Sequence, residues 1–284
     1  YLLAEQMDKK ELVNIFTVDK PNVCFIGDIH GEFQSLNALM KKSNFHDTAF
    51  IVCGDIGLGF EKKEHYSQIF NRLSKTASKM NNEFLFIRGN HDDSRYFSKR
   101  LINRKCFKTI PDYSVIETPL HNILCVGGAT SIDREYRKKI QERNALQYSF
   151  YHSCTMNEAM KRCPQTYWED EKCYFDKETL SQLKINNINI DIVCTHTCPS
   201  FVKPYDKIGI KTWIEKDETL ANDIDEERNV MDKIYNTLKH DGHKIYKWFY
   251  GHYHYHNSEV FGDTTFIMLD MCRYNKCDVY SLLG

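Results

Sequence analysis

Five short apolar runs, each closing on a turn that carries a ligand-type side chain, constrain this chain more than any other feature. They are Val23–His30 (VCFIGDIH), Ala49–Ile56 (AFIVCGDI), Phe84–His91 (FLFIRGNH), Asp191–His196 (DIVCTH) and Lys247–His254 (KWFYGHYH). Continuous apolar runs of this kind, bounded by turn residues, read as strands buried on both faces. Polar side chains placed just past such strands fall on one rim of a sheet, where open α/β folds gather their chemistry. That rim holds Asp28, His30, Asp55, Asn90, His91, His196, His252 and His254.

The stretches between the runs predict what covers the sheet. A helix carrying Phe33, Leu36, Leu39 and Met40 follows the strand Val23–Ile26. A longer one with Tyr66, Ile69, Phe70, Leu73, Ala77 and Met80 follows the strand Ala49–Cys53. With Phe84–Ile87 they make a βαβαβ half, which favours a parallel sheet under covering helices. Strands at Ser114–Glu117 and Ile123–Val126 lead to Gly127–Gly128. Residues 131–175 show neither strand nor clean helix rhythm and read as an insertion or long loop over the rim, a length that usually serves function or motion. A helix over Glu178–Ile185 precedes a strand at Ile190–Cys194. A second helix carries Ile224, Met231, Ile234 and Leu238, with Asn222 or Asp223 as its N-cap. The tail strands, near Lys247–Tyr250, Glu259–Phe261, Thr265–Leu269 and Val279–Ser281, read as antiparallel. No internal repeat divides the chain, and residues 1–284 are expected to form one domain.

Composition removes several classes of function. A chain of 284 residues with 42% apolar content can bury a large single core. The net charge of −1 argues against a protein-wide electrostatic grip on nucleic acid or acidic membranes. No run approaches the ~18 apolar residues of a membrane span, and no charged-then-apolar signal segment opens the chain. Tyr1 is not a natural start, so targeting ahead of it is not legible. The eleven cysteines are odd in number, and Cys24, Cys53, Cys125 and Cys194 fall within expected buried strands. There a thiol acts as a small apolar side chain, and a reduced, cytoplasmic setting is expected. Cys154, Cys163, Cys173 and His152 lack the tight cysteine pair of a structural zinc site.

Together, Asp28-x-His30, Gly54-Asp55, Gly89-Asn90-His91-Asp92, Thr195-His196 and Gly251-His252-x-His254 resemble the motifs of the calcineurin-like metallophosphoesterases. All five blocks occur in the family's order and span nearly the whole chain. The resemblance implies an α/β fold: a two-sheet αββα sandwich of mixed parallel and antiparallel strands. It also implies two divalent metal ions. Asp28, His30, Asp55 and His254 are then ligands of the first, and Asp55, Asn90, His196 and His252 of the second, with Asp55 bridging. Carboxylate, amide oxygen and imidazole suit Mn²⁺ first, then Fe or Zn²⁺, rather than a soft thiolate site. A hydroxide between the two ions would attack phosphorus in line, without a phosphoenzyme. His91 would protonate the leaving alkoxide; its alternative is a histidine that only braces the loop.

One block departs from the pattern. Members that act as protein phosphatases carry Asp-x-x-Asp-Arg-Gly at the second block, whereas this chain has Asp55-Ile56-Gly57-Leu58-Gly59-Phe60. Leu58 replaces the second aspartate and Gly59 the phosphate-clamping arginine, so another group or the metals must hold the phosphoryl oxygens. The stretch Gly127–Arg137 is similar to one in bacterial and phage-type members, as is Tyr167–Glu171. Arg134 and Arg137 are the candidate substrate-binding residues, because Gly127–Gly128 allows a sharp turn toward the rim. Lys138, Lys139 and Arg143 read instead as a solvated helix face. The activity implied is phosphomonoester hydrolysis of a phosphorylated substrate. A phosphodiesterase or nuclease would share the same centre, with nucleic acid only as substrate and Tyr136, Tyr148, Phe150, Tyr151, Tyr167 and Trp168 available for stacking. A non-catalytic, protein-binding relative is the third reading, disfavoured because every ligand is kept.

Overall fold

The structure, a computed structural model, describes residues 13–42 and 45–282. In chain order the first elements are β1 (Ile15–Thr17), β2 (Asn22–Ile26), α1 (Phe33–Lys42), β3 (Thr48–Val52), α2 (Lys63–Lys79) and β4 (Glu83–Phe86). There follow α3 (Arg95–Ser98), β5 (Phe107–Thr109), β6 (Ser114–Glu117), β7 (Asn122–Val126), α4 (Arg134–His152), α5 (Met156–Arg162) and α6 (Lys177–Ile185). The last are β8 (Ile192–Thr195), α7 (Ile210–Ile214), α8 (Leu220–His240), β9 (Lys247–Tyr250), β10 (Asn257–Phe261), β11 (Thr264–Met268) and β12 (Val279–Leu282).

These strands form two mixed sheets, ordered β12-β2-β3-β4-β5 and β1-β6-β7-β8-β9-β11-β10. In the first, β2 to β5 are parallel and β12 closes the edge antiparallel to β2. In the second, β7, β8, β9 and β11 run parallel. The wholly antiparallel tail is therefore corrected: of its strands, β10 pairs antiparallel with β11 and β12 with β2, while β9 runs parallel to both its neighbours. The helix α8 carries the chain back between β8 and β9, and β10 lies outside β11 as the far arm of a hairpin, so β11 meets β9 in parallel.

Period-two alternation explains how both faces of each sheet are filled. Along β2 to β4, Cys24, Ile26, Phe50, Val52, Phe84 and Phe86 pack under α1 and α2. Their neighbours Val23, Phe25, Ala49, Ile51 and Leu85 face the other sheet, where they meet Ile123, Cys125, Ile192 and Phe249. The rings of Phe25 and Phe249 stack at 3.7 Å across that middle layer. On the far side, Leu124, Val193, Trp248 and Phe266 pack against Leu180, Met231, Ile234 and Leu238 of α6 and α8. The order of layers is helix, sheet, sheet, helix.

Three expectations are corrected by the structure. Residues 131–175 are not a rhythmless loop: α4 runs for 19 residues and α5 for seven. Only Arg134, Arg137 and Ala145 of α4 are buried, so no apolar stripe marks it in the sequence. The N-cap of α8 is Thr219, not Asn222 or Asp223; Asp223 sits in the first turn and pairs with Arg134 and Lys172. Finally, the cysteines are not all reduced, because Cys272 and Cys277 form a disulfide across a short turn, while the other nine are free.

Candidate metal centre

The rim is assembled from both sheets. The turns after β2, β3 and β4 bring Asp28, His30, Asp55, Asn90 and His91, and those after β8 and β9 bring His196, His252 and His254. His30, Asp55, His252 and His254 all have positive φ (48°, 48°, 71° and 62°), uncommon for residues with a Cβ. Such backbone persists only where its surroundings over-determine it. Here the Asp55 carbonyl accepts from the N–H groups of Ile29 (3.0 Å) and His30 (2.7 Å). The His252 N–H donates to both Asp28 oxygens at 3.1 Å. Close approach also demands glycine at position 89, where a Cβ would collide with the Asp55 carboxylate and backbone.

Two clusters of donor atoms result, joined by Asp55. In the first, one ligand atom each from Asp28, His30, Asp55 and His254 lie within 4.8 Å of one another. The Nε2 atoms of His30 and His254 are 3.0 Å apart; Asp28 Oδ2 is 3.3 Å from the latter, and Asp55 Oδ2 is 3.4 Å from the former. In the second, Asn90 Oδ1 lies 2.9 Å from both His196 Nε2 and His252 Nδ1, and Asp55 Oδ1 is 3.3 Å from His196 Nε2. Asp55 thus turns one oxygen to each cluster. Its Oδ2 is buried without a hydrogen-bond partner among the described residues, a costly arrangement for a carboxylate unless a cation meets it. The residues fit a pair of divalent ions on this ground.

The field of the site points the same way. Burial alone would lower the pKa of His196, yet Asp55 and Asp28 outweigh it and push the imidazole up to about 9. Burial would raise Asp55, but His196, His91 and His30 hold it well below the usual carboxylate range. Positive charge is therefore favoured here despite burial. Burial, with Lys207 and His196, keeps His252 neutral, the form that ligates.

Outer contacts set the orientation of these ligands. His196 Nδ1 is 2.7 Å from the Cys53 carbonyl; a carbonyl only accepts, so Nδ1 carries the proton and the Nε2 lone pair faces Asn90 and Asp55. Asn90 Nδ2 donates to Ser131 Oγ at 2.8 Å, which aims its Oδ1 at the two histidines. Ser131 in turn is held by Glu171 through its N–H (2.8 Å) and hydroxyl (2.6 Å). Asp92 closes the third block, Gly89-Asn90-His91-Asp92. It is buried and accepts four backbone N–H bonds, from Ile56 (3.0 Å), Gly57 (2.8 Å), Leu58 (2.9 Å) and Gly89 (2.9 Å). It ties the turn after β3 to the turn after β4. Burial and Asp55 push its carboxyl up to about 7, against the four donors, which favour the anion.

The remaining candidates divide. His91 stands beside the first cluster, its ring 5.1 Å from that of His30, and its N–H donates to Asp55 Oδ1 at 2.7 Å. Burial lowers its pKa to about 3; Asp55 opposes this and Arg137, His30 and Lys207 add to it. Arg134 is not brought to the site, a correction of its expected clamping role. Its guanidinium is spent on Asp217, Asp223 and Thr219, which pin α4 to the start of α8. Arg137 does reach the site's outer contacts, donating to Ser131 Oγ (2.6 Å) and the Thr166 carbonyl (2.6 Å). Its Nη2 is buried without a partner among the described residues.

Gly59 could not carry the missing arginine. Its φ is +108°, and a Cβ would run into Asp93 and the ring of Trp168. Trp168 is itself buried, edge-on to Phe60 at 4.9 Å, so it is not free for stacking on nucleic acid. Lys207 is a residue the sequence did not flag. It lies within electrostatic reach of Asp55, Asp28, His91 and His252, and no ion pair or hydrogen bond engages its ammonium among the described residues. The segment leading to it is pinned by Arg228, which donates to the carbonyls of Pro199 (2.7 Å), Val202 (2.5 Å) and Pro204 (2.8 Å).

The family model described as calcineurin-like phosphoesterase matches residues 21–281. No curated protein matches the chain. Among solved structures, a dimetal phosphatase from Danio rerio is 13% identical, with 89% of this chain and 88% of that one covered and a TM-score of 0.46. A putative 5'-nucleotidase from Staphylococcus aureus, in complex with alpha-ketoglutarate, is 12% identical over 92% of this chain and 53% of that one, with a TM-score of 0.40. GAP50, described as the anchor in the inner membrane complex of Plasmodium, is 12% identical over 87% and 70%, with a TM-score of 0.37. Likenesses this distant do not bear on what the chain acts on.

Proposed function

The chain belongs to the calcineurin-like phosphoesterase family, a phosphoester hydrolase, and we propose from that premise that it is a phosphomonoesterase working with two divalent ions, Mn²⁺ foremost. The observation that carries this reading is Asp55, buried between two donor clusters with one carboxylate oxygen facing each. Asp28, His30, Asp55 and His254 are the proposed ligands of one ion, and Asp55, Asn90, His196 and His252 those of the other. Two such ions, when bound, would lower the pKa of a water toward neutrality and neutralise phosphoryl charge.

The chain's own groups do the rest. Asp55 is held by the His91 N–H, and Asn90 by Ser131, so both are oriented before substrate arrives. His91 is the group we assign to protonate the leaving oxygen, being the ring beside the first cluster that is not a proposed ligand; burial keeps it neutral in the free chain, and the negative charge of a bound phosphoryl group would favour its protonated form, as Asp55 already does. Arg137, through its unpartnered Nη2, and Lys207, through its unpaired ammonium, are proposed to hold the phosphoryl oxygens that an arginine at position 59 would have held. Two cations beyond the metal ligands suit a terminal dianion better than the single charge of a diester, which favours the monoester. The whole chain is taken as one domain, with α4, α5 and the segment to Glu171 as its insertion. Nine of the eleven cysteines are free, which favours a reducing, cytoplasmic setting against the single Cys272–Cys277 disulfide, and no helix among the described residues is long and apolar enough to cross a membrane.

Assay of chelated and Mn²⁺-loaded protein on p-nitrophenyl phosphate and bis-p-nitrophenyl phosphate tests the proposal. Turnover of the monoester is expected to vanish on chelation, return with Mn²⁺ and fall to background in Asp55→Asn, along with bound metal. Undiminished turnover after chelation would end the two-ion reading; faster turnover of the diester would end the monoester one.

A further inference from the structure

We infer that the cleft beside His30 and His91 receives the leaving group of the ester and selects one that carries a planar aromatic ring. The inference rests on the phosphomonoesterase reading and adds a substrate class to it. The cleft has a volume of about 400 Å³, and its walls include His30, Phe60, Glu61, His65, Tyr66 and His91. It shares His30 with the first donor cluster and His91 with the proposed proton donor. A phosphoryl group held at the metal ligands, with its leaving oxygen toward His91, therefore directs the rest of the ester here.

Most of the walls are rings, and two of them, Tyr66 and Phe60, are braced. Tyr66 is buried, accepts from the N–H groups of Gly59 and Glu61 (3.0 Å each) and donates to the Gly57 carbonyl (2.9 Å). These three bonds set the loop that carries Phe60 and Glu61. Phe60 is braced edge-on by Trp168 at 4.9 Å, and His65 stands edge-on to Tyr66 at 5.5 Å. Phe60 and His65 keep part of their surface exposed, so a planar group entering the cleft finds ring surface without first moving a side chain. Pre-set aromatic surface favours flat partners through offset or edge contacts.

Size and charge narrow the class. A cleft near the lower end of the usual ~300–1,000 Å³ for ligand sites holds a ring and a short linker, not a length of polymer. Glu61 is exposed, and among the described residues no hydrogen bond or ion pair engages its carboxylate. An acid at this place disfavours leaving groups with further negative charge and offers an acceptor to ring or amino N–H groups.

Two matched pairs of esters isolate the ring from leaving-group chemistry. Adenosine 5′-monophosphate against ribose 5-phosphate differs by the base alone, and 2-phenylethyl phosphate against ethyl phosphate by the phenyl ring. With Mn²⁺-loaded protein, kcat/KM is expected to favour the aromatic member of at least one pair by about tenfold. Phe60→Ala should bring that ratio close to one, mainly through loss on the aromatic member. His65→Ala, at an exposed position, gives a second test if the first variant folds poorly. Preference confined to the nucleotide pair, and reduced by Glu61→Gln, identifies the ring as an N–H-bearing heteroaromatic; preference in the phenyl pair identifies simple ring stacking. Ratios near one in the wild type, or ratios that both variants leave intact, overturn the inference while the phosphomonoesterase reading stands. Failure of loaded protein to hydrolyse these four esters and p-nitrophenyl phosphate brings down both.

Discussion

Replacing Asp92 by asparagine should cost far more than one atom suggests. Each carboxylate oxygen serves two donors: Oδ1 takes Gly57 and Leu58, and Oδ2 takes Ile56 and Gly89. In Asp92→Asn one oxygen becomes an NH₂, and whichever way the amide turns, it faces two N–H groups. Above pH 7, where Asp92 is the anion its four donors favour, two hydrogen bonds to a charged acceptor are lost, at about 1.5–3 kcal/mol each, or about 3–6 kcal/mol in all. Against a total of roughly 5–15 kcal/mol for a folded protein, that is a large share. Urea unfolding followed by circular dichroism reads it as a lower midpoint with an unchanged slope. The neighbouring control is Asp93→Asn, whose partner Arg95 is largely exposed; its loss should stay below about 1 kcal/mol. Metal retained after dialysis should also fall in Asp92→Asn, because the turns it joins carry Asp55 and Asn90. A loss under about 1 kcal/mol, or one equal to the Asp93 control, would refute this reasoning.

His91→Asn is expected to keep both ions and to lose rate by about 10²–10⁴-fold on alkyl phosphates, far less on p-nitrophenyl phosphate; equal losses on the two leaving groups, in steady-state assays with metal content checked, remove the proton-donor role. Arg137→Ala should raise KM for monoesters with metal intact, whereas Arg134→Ala should lower the unfolding midpoint and leave KM alone; the reverse pattern returns the clamp to Arg134. The Arg134 latch also has a pH signature. Asp217 is held below the usual carboxylate range by its bonds to Arg134. Burial would raise Asp223, but Lys172 and Arg134 outweigh it and hold it low as well. Their contribution is therefore present above an ordinary aspartate pKa of ~3.9 and lost as pH falls through and below it. The stability gap between wild type and Arg134→Ala, from urea melts, should be constant near neutrality and shrink below about pH 4; a gap that widens in acid contradicts the assignment.

The sequence revealed most where burial on both faces left an unbroken apolar signal. β2, β3 and β4 lie within a residue or so of their expected spans, and every apolar position expected on α1 and α2 packs into or against one core. The turns after these strands were legible too, since ligand-type residues crowd just past each strand end. Where packing is not apolar the signal fades. α4 is anchored by two buried arginines and an alanine, a pattern hydrophobic periodicity cannot detect. β1 and β5, three residues each, are too short to show alternation. Arg134 and Arg137 looked equivalent in the sequence; their difference lies in Asp217 and Asp223, some eighty residues away in the chain. Lys207 carried no local mark at all, because only the pinned path from Pro199 brings it toward the aspartates. Asp92 was in plain view, yet its four donors become countable only once two turns are side by side.

Because donors come from both layers, ions seated here act as a rivet through the sandwich. His254 meets Asp28 and Asp55 from the opposite sheet, as do His196 and His252 with Asn90. Ions held at a hundred times their dissociation constant would add about 2.7 kcal/mol of resistance to unfolding. Any shift of one layer over the other, such as trimming the Phe25–Phe249 stack deep inside, should then register as weaker ion binding at the far edge.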